Sequence, residues 1–184
     1  YPDLDEVLLR ARAASVVAFV VVGIDEAQTP LALRIAEEHP DVFAVVGMHP
    51  NSASSFDDAL RDRFAAWMRH PRVVAVGETG LDLYRDRASL ADQMSALDWH
   101  LRQADETGLP LVFHCRQAYD ELLGALEARG TCVRGVMHCF SGTVEDAARA
   151  LALGLHLGFD GPVTYKNAQL TREIARTCPA DRML

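Results

Sequence analysis

From Val16 onward, short runs of β-branched apolar residues alternate with longer segments whose apolar residues recur three and four positions apart. The first pattern is that of buried strands and the second that of amphipathic helices, so the chain reads as consecutive β/α units feeding a parallel sheet. Strands are predicted at 16–23, 43–48, 73–77, 110–113, 133–137 and 155–159. None shows regular apolar/polar alternation, as expected of parallel strands covered on both faces. Helices are predicted at 29–39, 57–69, 88–107, 118–129, 144–152 and 168–177. Thr29 before Pro30 reads as an N-cap with a first-turn proline, and Gly108, Gly130 and Gly154 read as stops after three of the helices. No Gly/Ser-rich linker or charge block interrupts the sequence, so one domain is expected across residues 1–184.

Six strands suit either an open doubly wound sheet or part of a closed barrel, and periodicity alone does not separate the two. The residues at the strand ends are more informative. Strand 43–48 is followed by His49, 73–77 by Glu78, 110–113 by His114 and 133–137 by His138. Active sites of β/α barrels lie where the carboxyl ends of the strands converge, so these four residues point to one shared site. Each alone has a structural explanation: His49 before Pro50 would shape a turn, and Glu78 before Thr79-Gly80 would cap one. Their joint recurrence at one end of successive strands is what favours chemistry. The other histidines do not share it, since His39, His70 and His100 lie on or beside helices and His156 lies inside a strand. Those four read as structural.

A carboxylate with two imidazoles is a common catalytic zinc set, three protein ligands leaving a position for water. Water activated in this way attacks esters and phosphoesters. A serine triad is disfavoured because there is no Gly-x-Ser-x-Gly elbow, and Ser141 in Cys139-Phe140-Ser141-Gly142 lacks that setting. Gly-rich phosphate loops of the dinucleotide or Walker type are also missing from the sequence.

Composition narrows the class further. With 49% hydrophobic and 24% charged residues the sequence is that of a globular protein, but its 184 residues fall short of the roughly 250 of a complete eight-stranded barrel. The net charge of −8 lacks the basic footprint of a dedicated duplex-DNA binder. It leaves room for a nuclease, because a metal centre supplies the local positive charge that faces a phosphate. The cysteines Cys115, Cys132, Cys139 and Cys178 form no Cys-x-x-Cys pair and read as reduced, which implies a cytoplasmic setting; Cys115 and Cys139 read as small buried residues near strand ends. The most apolar run, 16–24, is shorter than the roughly 20 residues that span a bilayer, and no signal-peptide pattern is present, so no membrane association is expected. Trp67 and Trp99 are placed by helical spacing to pack on the sheet and not to stack on bases.

Taken in order, several segments resemble the TatD family of metal-dependent hydrolases. Gly47-Met48-His49-Pro50 is similar to the family's Gly-x-His-Pro segment, and Gly77-Glu78-Thr79-Gly80-Leu81-Asp82 to its Gly-Glu-x-Gly-Leu-Asp signature, continuing to Tyr84 and Arg85. Gln93 stands where the family usually has glutamine. Leu109-Pro110 through His114-Cys115-Arg116 resembles the Leu-Pro-x-x-x-His-x-Arg strand, and His138-Cys139-Phe140-Ser141-Gly142 the His-Cys-Phe-Ser-Gly turn. The resemblance implies an α/β fold of the TIM-type β/α barrel and a centre of one or two divalent metal ions, with zinc, manganese and magnesium not distinguished. It also implies hydrolysis of nucleic-acid phosphodiesters, as a deoxyribonuclease or exonuclease acting on DNA. Glu78 matches a metal-bridging, catalytic glutamate, His114 and His138 match ligands of one metal, and His49 and Arg116 match pocket residues with substrate-binding or supporting roles.

Two departures accompany the resemblance. The family opens with a strand ending in His-x-His and closes its metal site with an aspartate after the eighth strand, and neither element occurs in this sequence. The expected barrel is therefore incomplete, lacking the first strand and most of the eighth. By itself this segment is expected to keep Glu78, His114 and His138 around one ion, to lose most ligands of the other, and to show little activity. Alternatives are hydrolysis of a D-aminoacyl-tRNA or other ester at the same site, or a noncatalytic barrel. The sequence leaves oligomeric state open.

Overall fold

The computed structural model describes residues 3–184. Six strands, β1 (Phe19–Gly23), β2 (Val42–Val46), β3 (Val73–Asp82), β4 (Leu111–Arg116), β5 (Gly135–Met137) and β6 (His156–Leu157), form one sheet in the order β1-β2-β3-β4-β5-β6. Every neighbouring pair is parallel. A doubly wound sheet reverses its order at a switch point, whereas here sequence order and spatial order coincide, which is the winding of the TIM-type β/α barrel. The sheet does not close on itself. After the last helix the chain returns to the edge of β6, where Met183 bridges Leu157 in parallel.

The helices are α1 (Leu4–Ala13), α2 (Thr29–Glu38), α3 (Asp58–Met68), α4 (Leu90–Thr107), α5 (Tyr119–Ala128), α6 (Val144–Ala152) and α7 (Gln169–Thr177). All but α1 were legible from the apolar spacing. Their starts are chemically marked: Asp57 accepts from Leu60 N–H, Ser89 from Asp92 N–H, and Thr143 with Asp146 closes a capping box. At α2 the expectation is corrected, because Thr29 lies inside the helix and its hydroxyl donates to the Asp25 carbonyl. Asp25 itself accepts the N–H groups of Ala27 and Gln28. The side chain that satisfies the free amides of this turn thus sits four residues earlier than predicted.

Helices and sheet meet in a dry layer in which Phe64, Phe113, Leu122, Leu126 and Met137 are fully buried. Cutting either Phe64 or Phe113 to alanine would cost about 3–5 kcal/mol by lost burial and cavity formation. Trp99 is buried, and both it and Trp67 make edge contacts with core phenylalanines, as packing residues do. The other face of the sheet differs from expectation. Val20 and Val22 of β1 are 56% and 39% exposed, and with Val45, Val112, Val136 and His156 they line a hollow of about 570 Å³. Strand β1 therefore alternates in burial, because its concave side is open while its convex side is covered by helices. Among the described residues no helix is long and apolar enough to cross a membrane.

Candidate metal centre

The residues of the site are set by the backbone of β3 and β4. In the β3–β4 register Gly77 pairs with Val112 and Thr79 with Phe113, so Glu78 is the extra residue of a bulge. A bulge turns one side chain out of the regular alternation, and here it presents Glu78 towards the neighbouring strand. Glu78 was expected just beyond the end of β3; instead the strand continues to Asp82, because Gly80, Leu81 and Asp82 keep pairing with His114, Cys115 and Arg116. Close approach makes this possible: a Cβ on Gly80, whose φ is +134°, would lie 2.0 Å from the His114 carbonyl oxygen. In β4 burial alternates residue by residue, so His114 and Arg116 share the side of Val112 while Phe113 and Cys115 face the helices.

His49, Glu78 and His114 each offer a ligand atom, all within 4.8 Å of one another. His114 Nδ1 is 3.1 Å from Glu78 Oε1, and its Nε2 is 3.2 Å from Asp82 Oδ2. The His49 ring meets the His114 ring edge-on at 4.3 Å, and its Nδ1 accepts Asn51 N–H at 3.1 Å. His138 stands apart from this close group, with Nδ1 3.3 Å from Asp160 Oδ2. It nevertheless lines, with His114, Arg116, Asp160 and Tyr165, one cavity of about 470 Å³. The Arg116 guanidinium lies 3.7 Å over the ring of Tyr84, which is itself 55% exposed.

Burial works against the charge on Glu78, but the hydrogen bond and charge of His114, with His49 and His138 nearby, outweigh it and hold the carboxyl below its usual range. Asp82 is held down likewise: burial opposes its charge, and the Arg85 amide, His114 and the Tyr84 amide prevail. Burial and then the neighbouring His114 lower His49, which favours a neutral imidazole. The centre thus offers two carboxylates and a lowered His49 beside the His114 ring, with several donor atoms within the span of one ion, and this donor set fits a divalent cation. The thiols do not add to it, because burial pushes Cys115 up to about 12 and also raises Cys139.

Of the five residues singled out from sequence, His49, Glu78 and His114 come together, while His138 and Arg116 share a cavity with His114 alone of these three. Two further groups, Asp82 and Asp160, were missed, while His100 is structural, as read, with a bracing contact that the sequence did not disclose. Asp82 follows Glu78 by four positions, a spacing that puts strand residues on one face. Asp160 directly follows the predicted strand 155–159, so the strand-end rule that picked out His138 would also have picked it out. His100 carried no signal. It is fully buried, accepts Met48 N–H on Nε2 at 2.9 Å and meets the Ala96 carbonyl through Nδ1 at 2.6 Å, fixing the backbone next to His49. Tyr119 braces the opposite side: its hydroxyl accepts Ser141 N–H at 2.9 Å and steadies the turn that carries His138.

A family profile described as "TatD related DNase" matches residues 1–184. The chain is 35% identical over 187 residues to the uncharacterized metal-dependent hydrolase YabD of Bacillus subtilis (strain 168), a match covering 99% of this chain and 72% of that protein. It is 35% identical over 184 residues to the 3'-5' ssDNA/RNA exonuclease TatD of Klebsiella pneumoniae (strain 342), covering 99% of this chain and 70% of that protein. Among solved structures, YJJV, a TatD homolog from Escherichia coli K12, superposes with a TM-score of 0.92 at 31% identity, covering all of this chain and 71% of that one. The sequence motifs, the winding of the sheet and these relatives agree: the chain belongs to the TatD family of metal-dependent hydrolases.

Proposed function

We propose that the protein hydrolyses phosphodiester bonds of single-stranded nucleic acid, DNA foremost, with Glu78, His114 and His138 holding a divalent cation. The observation that carries this reading is the placement of Arg116, stacked on the exposed ring of Tyr84, beside the Glu78–His114 pair. Aromatic rings that accept an unpaired base, together with a cation that tracks the backbone, are the recurring means of binding single strands. A net charge of −8 disfavours a long duplex, whose affinity comes from many basic contacts. Relatives named as ssDNA/RNA exonucleases support the same substrate class.

A divalent cation bound here supplies Lewis acidity towards a phosphoryl oxygen and the attacking water. Glu78 would contribute the central negative charge, and His114 and His138 nitrogen donors. Because Asn51 N–H occupies the lone pair on His49 Nδ1, the neutral ring carries its proton on Nε2, a donor suited to a phosphoryl oxygen. Arg116 presents a planar guanidinium to an adjacent phosphate, and Tyr84 a face to a base. We further propose one domain over residues 1–184 and a cytoplasmic setting, the latter supported by four unpaired cysteines.

The test offers the purified full-length protein labelled single-stranded DNA, single-stranded RNA and a D-aminoacyl-tRNA, each with magnesium, manganese or zinc. Metal-dependent release of nucleotides from the single strands is expected. Cleavage of the aminoacyl ester alone would contradict the proposal.

A further inference from the structure

His114 is flanked by two carboxylates, and the two are not equivalent. The Asp82 side chain is 1% exposed and fully engaged: Oδ1 accepts the N–H groups of Tyr84 and Arg85, both at 3.0 Å, and Oδ2 faces His114 Nε2 and the Asn51 amide at 3.2 and 3.3 Å. Its backbone is held as well, because Gln93 Oε1 accepts Asp82 N–H at 2.8 Å and Gln93 Nε2 donates to the Asp82 carbonyl at 3.2 Å. Glu78 has His114 as its hydrogen-bonding partner among the described residues, and its side chain is 14% exposed. One carboxylate is locked into the fold and the other is free to turn towards a cation.

A neutral imidazole carries one N–H and one lone pair, and whichever nitrogen meets a fixed acceptor keeps the proton. We infer that Asp82 is the positioning residue of the centre, holding the proton on His114 Nε2 so that Nδ1, on the Glu78 side, is the atom offered to a divalent cation. The same carboxylate anchors the start of the loop bearing Tyr84 and Arg85 and the turn after His49. Orientation of the ligand and placement of the surrounding pocket therefore share one anchor. The inference rests on the reading of Glu78 and His114 as metal ligands.

Asp82→Asn tests it with little change of volume. Asparagine still accepts the two backbone N–H groups through its oxygen, but its NH₂ then faces His114 Nε2, two donors meet, and the ring is driven to the Nδ1–H tautomer. Ring-nitrogen NMR of the full-length protein loaded with zinc is expected to show the His114 proton on Nε2 and zinc on Nδ1. Zinc affinity in Asp82→Asn should fall about 10- to 100-fold, as when outer partners of metal-bound histidines are removed. Zinc on Nε2 of the unsubstituted protein, or unchanged zinc affinity in Asp82→Asn, would overturn the inference while leaving the ligand reading intact. Absence of any zinc-dependent change at His114 would overturn both. The measurement on the unsubstituted protein stands even if Asp82→Asn fails to fold.

Discussion

His100 shows how a single buried residue sets conditions on the whole site. Its Nε2 must keep a lone pair to accept Met48 N–H, and burial lowers its pKa from the usual 6.5 to about 4. Below pH 6.5 the unfolded chain takes up a proton that the folded chain refuses, so stability present above that pH is lost as the pH falls towards 4. Thermal melts of the native protein should therefore drop across this window. In His100→Leu the melts should fall less steeply there, but from a level lowered by about 1–3 kcal/mol because the Met48 amide is left unpaired. Equal pH slopes in the two proteins would contradict this account. Glu78 and Asp82, both held below their usual ranges, add a separate loss at more acid pH. At this scale the sequence disclosed residues that follow apolar runs, which is how His49, Glu78, His114 and His138 were recognised. It concealed those whose role depends on contacts across the fold: a helical histidine looks the same whether it faces water or a backbone amide, and the Asp82 partners His114 and Asn51 are distant in the chain.

At the scale of elements, the decisive feature is the contact between β3 and β4, where Gly80 lets two backbones approach closely. Gly80→Ala would drive a Cβ against the His114 carbonyl at a φ that alanine rarely adopts. We expect a loss of about 1–3 kcal/mol or more in denaturant melts, with hydrolysis reduced further because Glu78 and His114 are displaced relative to each other. Gly124 gives the opposite sign: it lies within α5 and a Cβ there meets nothing within 4 Å, so Gly124→Ala should stabilise by about 0.5–1 kcal/mol. Similar melts for the two variants would show that the close approach is not what constrains this strand pair. The apolar runs located all six strands and six of the seven helices. They could not show that β3 continues past its apolar stretch, since Glu78-Thr79-Gly80 reads as a turn, and its pairing is decided by the neighbouring strand. Helix α1 escaped notice because it precedes the first apolar run and is mostly exposed.

For the molecule as a whole, sequential strand order gathers residues distant in the chain at one end of the sheet, where Arg116 lies over Tyr84. If this pair grips a single strand, Tyr84→Leu should weaken oligonucleotide binding by about 1–3 kcal/mol, read as a raised KM with kcat less affected. Arg116→Ala should also weaken binding and flatten its salt dependence. A fall in kcat with unchanged KM in both variants would move the pair from substrate binding to the chemical step. If Glu78 anchors the metal on which hydrolysis depends, metal content measured beside the rate of single-strand cleavage should separate the full-length protein from Glu78→Gln. Divalent metal and metal-dependent cleavage are expected in the former, and loss of bound metal with a rate near background in the latter. Glu78→Gln retaining both its metal and its rate would contradict that role.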